Sequence, residues 1–207
     1  MRRTVISLIL MLVFSVETSL GKTMREVWID MPDSITMYLT KSMRTELADY
    51  DDMKVSAATK NAIGDTVRID TLTSDYIAIT LSESSKLEMK LLPRDGSNII
   101  CMVRTYYGTA AESIISFWQL DWQQLPDISM PALENIELIK KPDSLSVTEF
   151  NKIKAMISPK MIEMRLSPDD NSLLLSYSLP DVNKEDSELI KSILVQKKIN
   201  WNGEIFN

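Results

Sequence analysis

The composition of this 207-residue chain is that of an ordinary globular protein, with 44% apolar and 25% charged residues. These values exclude collagen-like and wholly disordered chains. The net charge of −6 argues against a nucleic-acid partner, because phosphate binding depends on lysine and arginine. The chain has no histidine, which excludes serine–histidine–aspartate triads, cysteine–histidine pairs and histidine-ligated zinc.

Residues 1–21 have the pattern of a secretory signal peptide. Two arginines open the segment, an apolar run follows over residues 5–16, and Ser19 and Gly21 are the small residues expected before a cut. The run is shorter than the roughly 20 residues of a membrane-spanning helix. We expect cleavage after Gly21, a periplasmic or cell-envelope location, and no membrane span in the mature chain. An uncleaved anchor is the alternative.

The first predicted element of the mature chain is helical. Apolar residues recur at three- or four-residue steps over residues 31–52, as on one face of a helix. Pro32 fits the first turn of this helix. Thr40 is a suitable N-cap for a second helix, which would divide the stretch in two.

From residue 54 the sequence alternates with a period of two, which is typical of antiparallel strands with one face buried. Leu87 and Met89, for example, alternate with Glu88 and Lys90. Turn residues separate the runs at 63–65, 82–85 and 93–98. The sequence predicts a meander of four to six strands, at 54–59, 66–73, 76–81, 86–92, 99–107 and 114–122.

A proline-rich connector over residues 123–145, with a short helix at 131–140, leads into a second set of elements. Ser146 and Glu149 form a capping box that starts a helix. Two strands follow at 161–166 and 173–179, and Asn183 starts a last helix. Asn202-Gly203 predicts a final hairpin.

The hairpin at 76–93 and the one at 161–180 have similar patterns, and each follows a helical region. We therefore predict an α+β fold, an antiparallel sheet of hairpins and meander with helices packed on one face. An internal duplication of helix–hairpin units would build one joint sheet, although two amphipathic hairpins also look alike without common origin. Residues 22–207 are expected to form a single domain, with halves at 22–125 and 126–207 as the alternative division.

The residues offer little for catalysis, and we expect no cofactor, no metal and no enzyme activity. Cys101 is the single cysteine, in an apolar strand, and we interpret it as a buried structural residue. Carboxylates are the abundant acid–base candidates, but turns and helix starts explain most of them. Their clusters comprise Asp49, Asp51 and Asp52; Asp169 and Asp170; and Asp181, Glu185, Asp186 and Glu188.

Aromatic residues are concentrated on two consecutive predicted strands. Tyr106 and Tyr107 lie on the first, and Trp118 and Trp122 at the end of the second. Because neighbouring residues of a strand face opposite ways, Trp118 and Phe117 point to opposite faces. An exposed tryptophan face would stack on a sugar or dock a partner. Packing of the aromatic residues within a covered sheet is the alternative.

Several short blocks of sequence together carry a family resemblance. They are Met-Pro-Asp-Ser-Ile at 31–35, Leu-Thr-Ser-Asp-Tyr-Ile-Ala-Ile at 72–79, Leu-Glu-Met-Lys-Leu-Leu-Pro at 87–93, Ile-Cys-Met-Val-Arg-Thr at 100–105 and Ser-Phe-Trp-Gln-Leu-Asp-Trp at 116–122. The chain resembles, over most of residues 24–207, an exported family of gut Bacteroidales bacteria called domain of unknown function 3256. The resemblance implies a periplasmic or cell-envelope location and no particular activity.

Three hypotheses of function remain open at this point. The first is a non-enzymatic binding or interaction module that contacts an envelope protein or glycan through Trp118, Trp122, Tyr106 and Tyr107. The second is a carboxylate-based hydrolase of envelope polymers, which requires two acidic residues with displaced pKa values in one cleft. The third is an envelope assembly or inhibitor-like protein that acts through an edge strand or loop.

Overall fold

The computed structural model describes residues 21–207 except 129, 132, 134, 135, 159, 180 and 181. Within these residues it has four helices and two antiparallel sheets, which confirms the α+β class. The predicted signal peptide lies outside the described residues, apart from Gly21. No helix in the described part of the chain is long and apolar enough to cross a membrane.

The larger sheet is a six-stranded meander whose spatial order is the order of the strands along the chain, as predicted. Its strands are β1 (Ala58–Lys60), β2 (Thr66–Leu72), β3 (Tyr76–Ser82), β4 (Ser85–Arg94), β5 (Ser97–Tyr107) and β6 (Ala111–Trp118). The turn between β4 and β5 is tighter than the predicted loop at 93–98. Asp95 and Gly96 have φ values of 49° and 76°, the left-handed pair that a two-residue hairpin turn requires.

Two short helices, α1 (Met24–Asp30) and α2 (Lys41–Asp52), cover one face of this sheet. Thr23 and Glu26 form a capping box that starts α1. Thr40 caps α2, as predicted. The indole N–H of Trp28 on α1 donates to the carbonyl of Arg44 on α2 at 3.0 Å, which fixes the two helices together.

The prediction of a helix beginning near residue 31 is wrong, because residues 31–40 form turns between the two helices. The guanidinium of Arg44 accounts for the difference. It donates hydrogen bonds to the carbonyls of Met31 and Leu39, and it pairs with Asp33 at 2.8 Å. In a continuous helix these carbonyls would accept from backbone amides.

The smaller sheet packs on the opposite face of the meander, and the two sheets share one apolar core. Its strands are β7 (Met161–Leu166), β8 (Ser172–Ser178) and β9 (Lys197–Asn200), in that order. The expectation that β4 has a solvent-exposed polar face is therefore wrong. Glu88 is 6% and Lys90 2% exposed, because both lie between the sheets. Lys90 pairs with Asp75 at 2.8 Å and donates to the carbonyl of Pro168 at 3.0 Å.

The two similar hairpins belong to separate sheets, so the expected joint sheet does not form. Side chains of the larger sheet satisfy the edge of β7 instead of another strand. The N–H of Met164 donates to Ser113 Oγ at 2.9 Å, and the N–H of Leu166 donates to Glu88 Oε2 at 2.8 Å. These polar side chains stand where a strand would otherwise pair.

The remaining helices, α3 (Val147–Ala155) and α4 (Lys184–Lys191), pack together around a third apolar cluster. Ser146 and Asn183 cap them, as predicted. The short helix predicted over 131–140 lies partly outside the described residues. Leu133 within it has 3₁₀ geometry, and Ile139 near its end forms a β-bridge with Leu194. Asn202-Gly203 makes the predicted turn, across which Trp201 and Phe206 form a bridge.

Candidate functional site

An apolar groove of about 420 Å³ lies on the helix-side face of β5 and β6, beyond the part that α1 and α2 cover. Its floor and one wall come from alternate residues of the two strands, and the turns after α1 supply the other wall. The residues that line it are Pro32, Ser34, Ile35, Met102, Arg104, Tyr106, Ile114, Ser116, Trp118 and Trp122. Two of these present large exposed apolar surface, since Ile114 is 60% and Tyr106 45% exposed. Such a surface is typical of a contact site.

Two tryptophans form one end of the groove. The ring centroids of Trp118 and Trp122 are 6.0 Å apart with an interplanar angle of 57°. Trp118 is half-buried and donates its indole N–H to Ser116 Oγ at 2.9 Å, which fixes the ring over the strand. Trp122 is brought back beside it by a turn in which its backbone N–H donates to Gln119 O at 2.9 Å.

Trp122 adopts a left-handed backbone conformation with φ of 69°. This conformation is costly for a bulky residue and persists only when its surroundings enforce it. The ring is 8% exposed and packs on the helix-side core. Burial of the indole therefore offsets the backbone strain, and the strained turn places the ring at the groove.

The opposite wall is formed by residues 32–35, which two arginines hold in place. Arg44 anchors this segment from the helix side through its bonds to the flanking carbonyls. Arg104 Nη2, from β5, donates to the carbonyl of Ile35 at 2.7 Å. The wall is thus fixed to both the helices and the sheet, which preorganises the groove.

Arg104 is a site residue that the sequence reasoning missed. It lies on β5 between Met102 and Tyr106 on the same face, and the strand register places it opposite Ile114. The sequence does contain a signal for it. Arg104 occupies a position that alternation assigns to the apolar face of the strand, and it is close to the aromatic cluster. In the structure this half-buried guanidinium lines the groove.

Three of the four predicted contact residues come together, and the fourth does not. Trp118, Trp122 and Tyr106 all line the groove. Tyr107 points to the other face of the sheet, as alternation along β5 requires. There it lies near Glu163 and Arg165 of β7, and burial followed by the Glu163 charge raises the pKa of its hydroxyl. Trp118 and Phe117 face opposite sides as predicted, and Phe117 packs between the sheets.

The acidic clusters are held at separate places on the surface. Asp49 and Asp52 both pair with Arg25, and Asp52 Oδ2 lies 2.9 Å from its Nε. Asp170 pairs with Lys198 at 2.6 Å, and this hydrogen bond is the main reason that the pKa of Asp170 is lowered.

At the start of α4, the Asp186 carboxylate accepts a hydrogen bond from Asn183 at 2.7 Å. Asp181 lies outside the described residues. No group of acidic or cysteine side chains in the described ranges is arranged to hold a metal ion.

Two other features of the molecule lack the character of a binding site. A larger concavity, of about 860 Å³, lies beside the Asp95-Gly96 and Asn202-Gly203 turns. It is lined mostly by polar turn residues, and the indole N–H of Trp201 there is already bonded to Pro93 O at 2.7 Å. Cys101 is fully buried between the sheets, as expected, and burial raises the pKa of its thiol. It is a core residue.

Comparison with known proteins places the chain in a family. None of the curated proteins matches it. A solved structure of a domain of an uncharacterized protein from Porphyromonas gingivalis W83 is similar, with a TM-score of 0.69 and 22% sequence identity. The likeness covers 90% of this chain and 99% of that one, and it supports the fold. The model of the family described as "Protein of unknown function (DUF3256)" matches residues 16–206, so the chain belongs to the DUF3256 family.

Proposed function

We propose that this protein is an exported binding module without enzyme activity, and that the groove beside Trp118 and Trp122 is its contact site. The observation that carries the proposal is a groove at the end of the helix-covered sheet face, which half-buried Trp118 and largely buried Trp122 line. Exposed Ile114 and Tyr106 extend the same surface. Tryptophan and tyrosine are the residues that most often dominate the energy of protein interfaces.

The preformed wall of the groove also supports binding. Residues 32–35 are held by arginine side chains rather than by a continuous helix, so this wall exists before a ligand arrives. Binding to a preformed surface avoids much of the entropic cost of ordering a loop. Export is supported by the pattern of residues 1–21, and α1 begins three residues after the predicted cut.

The two alternatives have less support in the described residues. A hydrolase needs two carboxylates in one cleft, whereas Asp49, Asp52 and Asp170 are engaged in ion pairs at separate surface positions. An edge-strand mechanism needs an open strand. Part of the outer edge of β6 is occupied, because Ala111 N donates to Ser178 Oγ and Phe117 O accepts from Leu125 N.

Affinity capture tests the proposed site. Purified residues 22–207 are immobilised and exposed to detergent-solubilised cell envelope and to a glycan array, in parallel with Trp118→Ala and Trp122→Ala. Val147→Ala serves as a control, because Val147 is 64% exposed but lies on α3, outside the residues that line the groove. We expect both tryptophan variants to lose the ligands that the control retains. Equal binding by all four proteins would refute the site.

A separate experiment tests export. The full chain is expressed in a Gram-negative host, the periplasm is released by osmotic shock, and the recovered protein is sequenced from its N-terminus. We expect the mature protein to begin at Lys22. Recovery of the uncut chain in the cytoplasm would refute export.

A further inference from the structure

The groove contains a positive charge that has no counter-charge in the part of the protein that the structure describes. The other arginines after residue 21 each have a carboxylate oxygen within 3.7 Å: Arg25, Arg44, Arg68, Arg94 and Arg165. Arg104 alone has no such partner among the described residues. Glu112, the nearest acidic position on β6, is opposite Tyr106 in the register rather than opposite Arg104. An unpaired guanidinium is notable in an acidic chain of net charge −6.

The same groove contains hydrogen-bond donors that have no acceptor within the described ranges. Arg104 Nε is buried and has no partner, although Nη2 donates to Ile35 O. Trp122 Nε1 is also buried without a partner. The other indole N–H groups all have acceptors within 3.0 Å, those of Trp28, Trp118 and Trp201. Buried donors are nearly always satisfied, so two orphans beside one groove point to an acceptor from outside the chain.

We propose that the groove binds the C-terminal carboxylate of an apolar peptide. This inference rests on the proposed function and names the ligand chemistry of the same site. A terminal carboxylate carries its charge and its last side chain on one Cα, which matches a groove lined by both a guanidinium and apolar side chains. Arginine binds carboxylates through parallel N–H donors, and the aromatic and aliphatic lining receives the last side chain. On this proposal the Trp122 ring rotates on binding, so that its buried N–H donates to the second carboxylate oxygen.

Nuclear magnetic resonance titration of the indole N–H groups tests this inference. The probes are acetylated tripeptides that end in phenylalanine, leucine or tryptophan, each as the free acid and as the C-terminal amide. We expect the free acid to bind about 10- to 100-fold more tightly than the amide, because the lost contact is charge-assisted. The Trp122 signal, assigned with Trp122→Phe, is expected to move downfield on binding, while those of Trp28 and Trp201 stay in place.

Variants of Arg104 test whether its positive charge, and not a change in the fold, causes the preference for the free acid. Arg104→Gln is expected to abolish the preference for the free acid, and Arg104→Lys to retain part of it. Arg68→Gln is the matched control, because Arg68 is an exposed strand arginine paired with Asp70 away from the groove. The acid–amide comparison on the unaltered protein remains informative even if Arg104→Gln fails to fold.

Three results would overturn the inference. Equal affinity of acid and amide at the groove would show that the carboxylate is not recognised, although the proposed function would stand. If an amidated peptide with an internal glutamate binds as tightly as the free acid, the recognised carboxylate need not be at the C-terminus. The free acids are tested up to about 5 mM, above the roughly 1 mM dissociation constant of a very weak interaction. If none of them shifts the Trp118 and Trp122 signals, the groove does not bind such peptides. The capture experiment decides the proposed function independently.

Discussion

The carboxylate of Glu88 on β4 accepts a hydrogen bond from the backbone N–H of Leu166 on β7 at 2.8 Å, and this bond joins the two sheets. Glu88 is buried, and Lys86 Nζ is 3.7 Å away. Burial is the main reason that the pKa of Glu88 is raised, and the Leu166 bond opposes the shift. The carboxylate thus performs a structural role at an energetic cost.

Substitution of Glu88 separates its role as an acceptor from its charge. Glu88→Gln keeps an oxygen for the Leu166 N–H, whereas Glu88→Met leaves that N–H without an acceptor. A buried unsatisfied donor costs about 1–3 kcal/mol. We therefore expect Glu88→Gln to exceed Glu88→Met by about that amount in free energy of unfolding at pH 7, measured by urea denaturation. Equal stability of the two variants would contradict the assigned role.

The raised pKa of Glu88 predicts a specific pH dependence. As pH rises above the ordinary value of 4.5, the unfolded state loses its proton first, so ionisation favours unfolding until the pH passes the folded-state pKa. Glu88→Gln lacks this loss. The stability of Glu88→Gln minus that of the unaltered protein should increase with pH across this window and then level off. A difference that is flat from pH 4 to pH 8, or that falls, would be inconsistent with a raised pKa.

Ser113 provides the second link between the sheets. Its Oγ accepts from the Met164 N–H at 2.9 Å and lies 2.8 Å from Thr105 Oγ1. Ser113→Ala leaves the buried Met164 N–H unsatisfied, so we expect a loss of about 1–3 kcal/mol in unfolding free energy. Ser97→Ala, at an exposed strand end, is the control and should change stability by no more than about 0.5 kcal/mol. Calorimetry of the two variants checks the contrast.

Arg44 is predicted to be the most sensitive charged residue of the helix face. Its side chain is 1% exposed, and its removal leaves the buried carbonyls of Met31 and Leu39 without donors. We expect Arg44→Met to lose about 3 kcal/mol or more, since each unsatisfied group costs roughly 1–3 kcal/mol. Arg68→Met, which removes an exposed ion pair with Asp70, should lose at most about 1 kcal/mol. Similar losses in both variants would refute the anchoring role of Arg44.

Much of the fold could be predicted because local signals agree with it. The alternating pattern and the turn residues locate the six-stranded meander, and the residues at Thr40, Ser146 and Asn183 mark three helix starts. Other parts depend on contacts distant in sequence. The apolar periodicity of residues 31–52 does not reveal that the Arg44 guanidinium donates hydrogen bonds to backbone carbonyls of the preceding segment. Similarly, the charges of Glu88 and Lys90 suggest an exposed face, because the strand that covers them lies far along the chain.

The site could be predicted only in part. The aromatic cluster indicated Trp118, Trp122 and Tyr106, but Tyr107 follows Tyr106 directly and faces the other sheet. Arg104 could not be identified from the sequence, because what distinguishes it from the other arginines is the lack of a carboxylate partner among the described residues. Absence of a carboxylate partner becomes visible only when every neighbouring side chain has been placed.

Site-specific photo-cross-linking in living cells tests the central claim, that this groove is where the protein binds. A photoreactive amino acid is placed at Ile114, which is 60% exposed in the same groove as Trp118, or at Val147, which is 64% exposed on α3. The account predicts a discrete adduct in the envelope fraction from position 114, lost with Trp118→Ala, and none from position 147. Equal adducts from both positions, or an adduct at 114 that Trp118→Ala leaves unchanged, would contradict it.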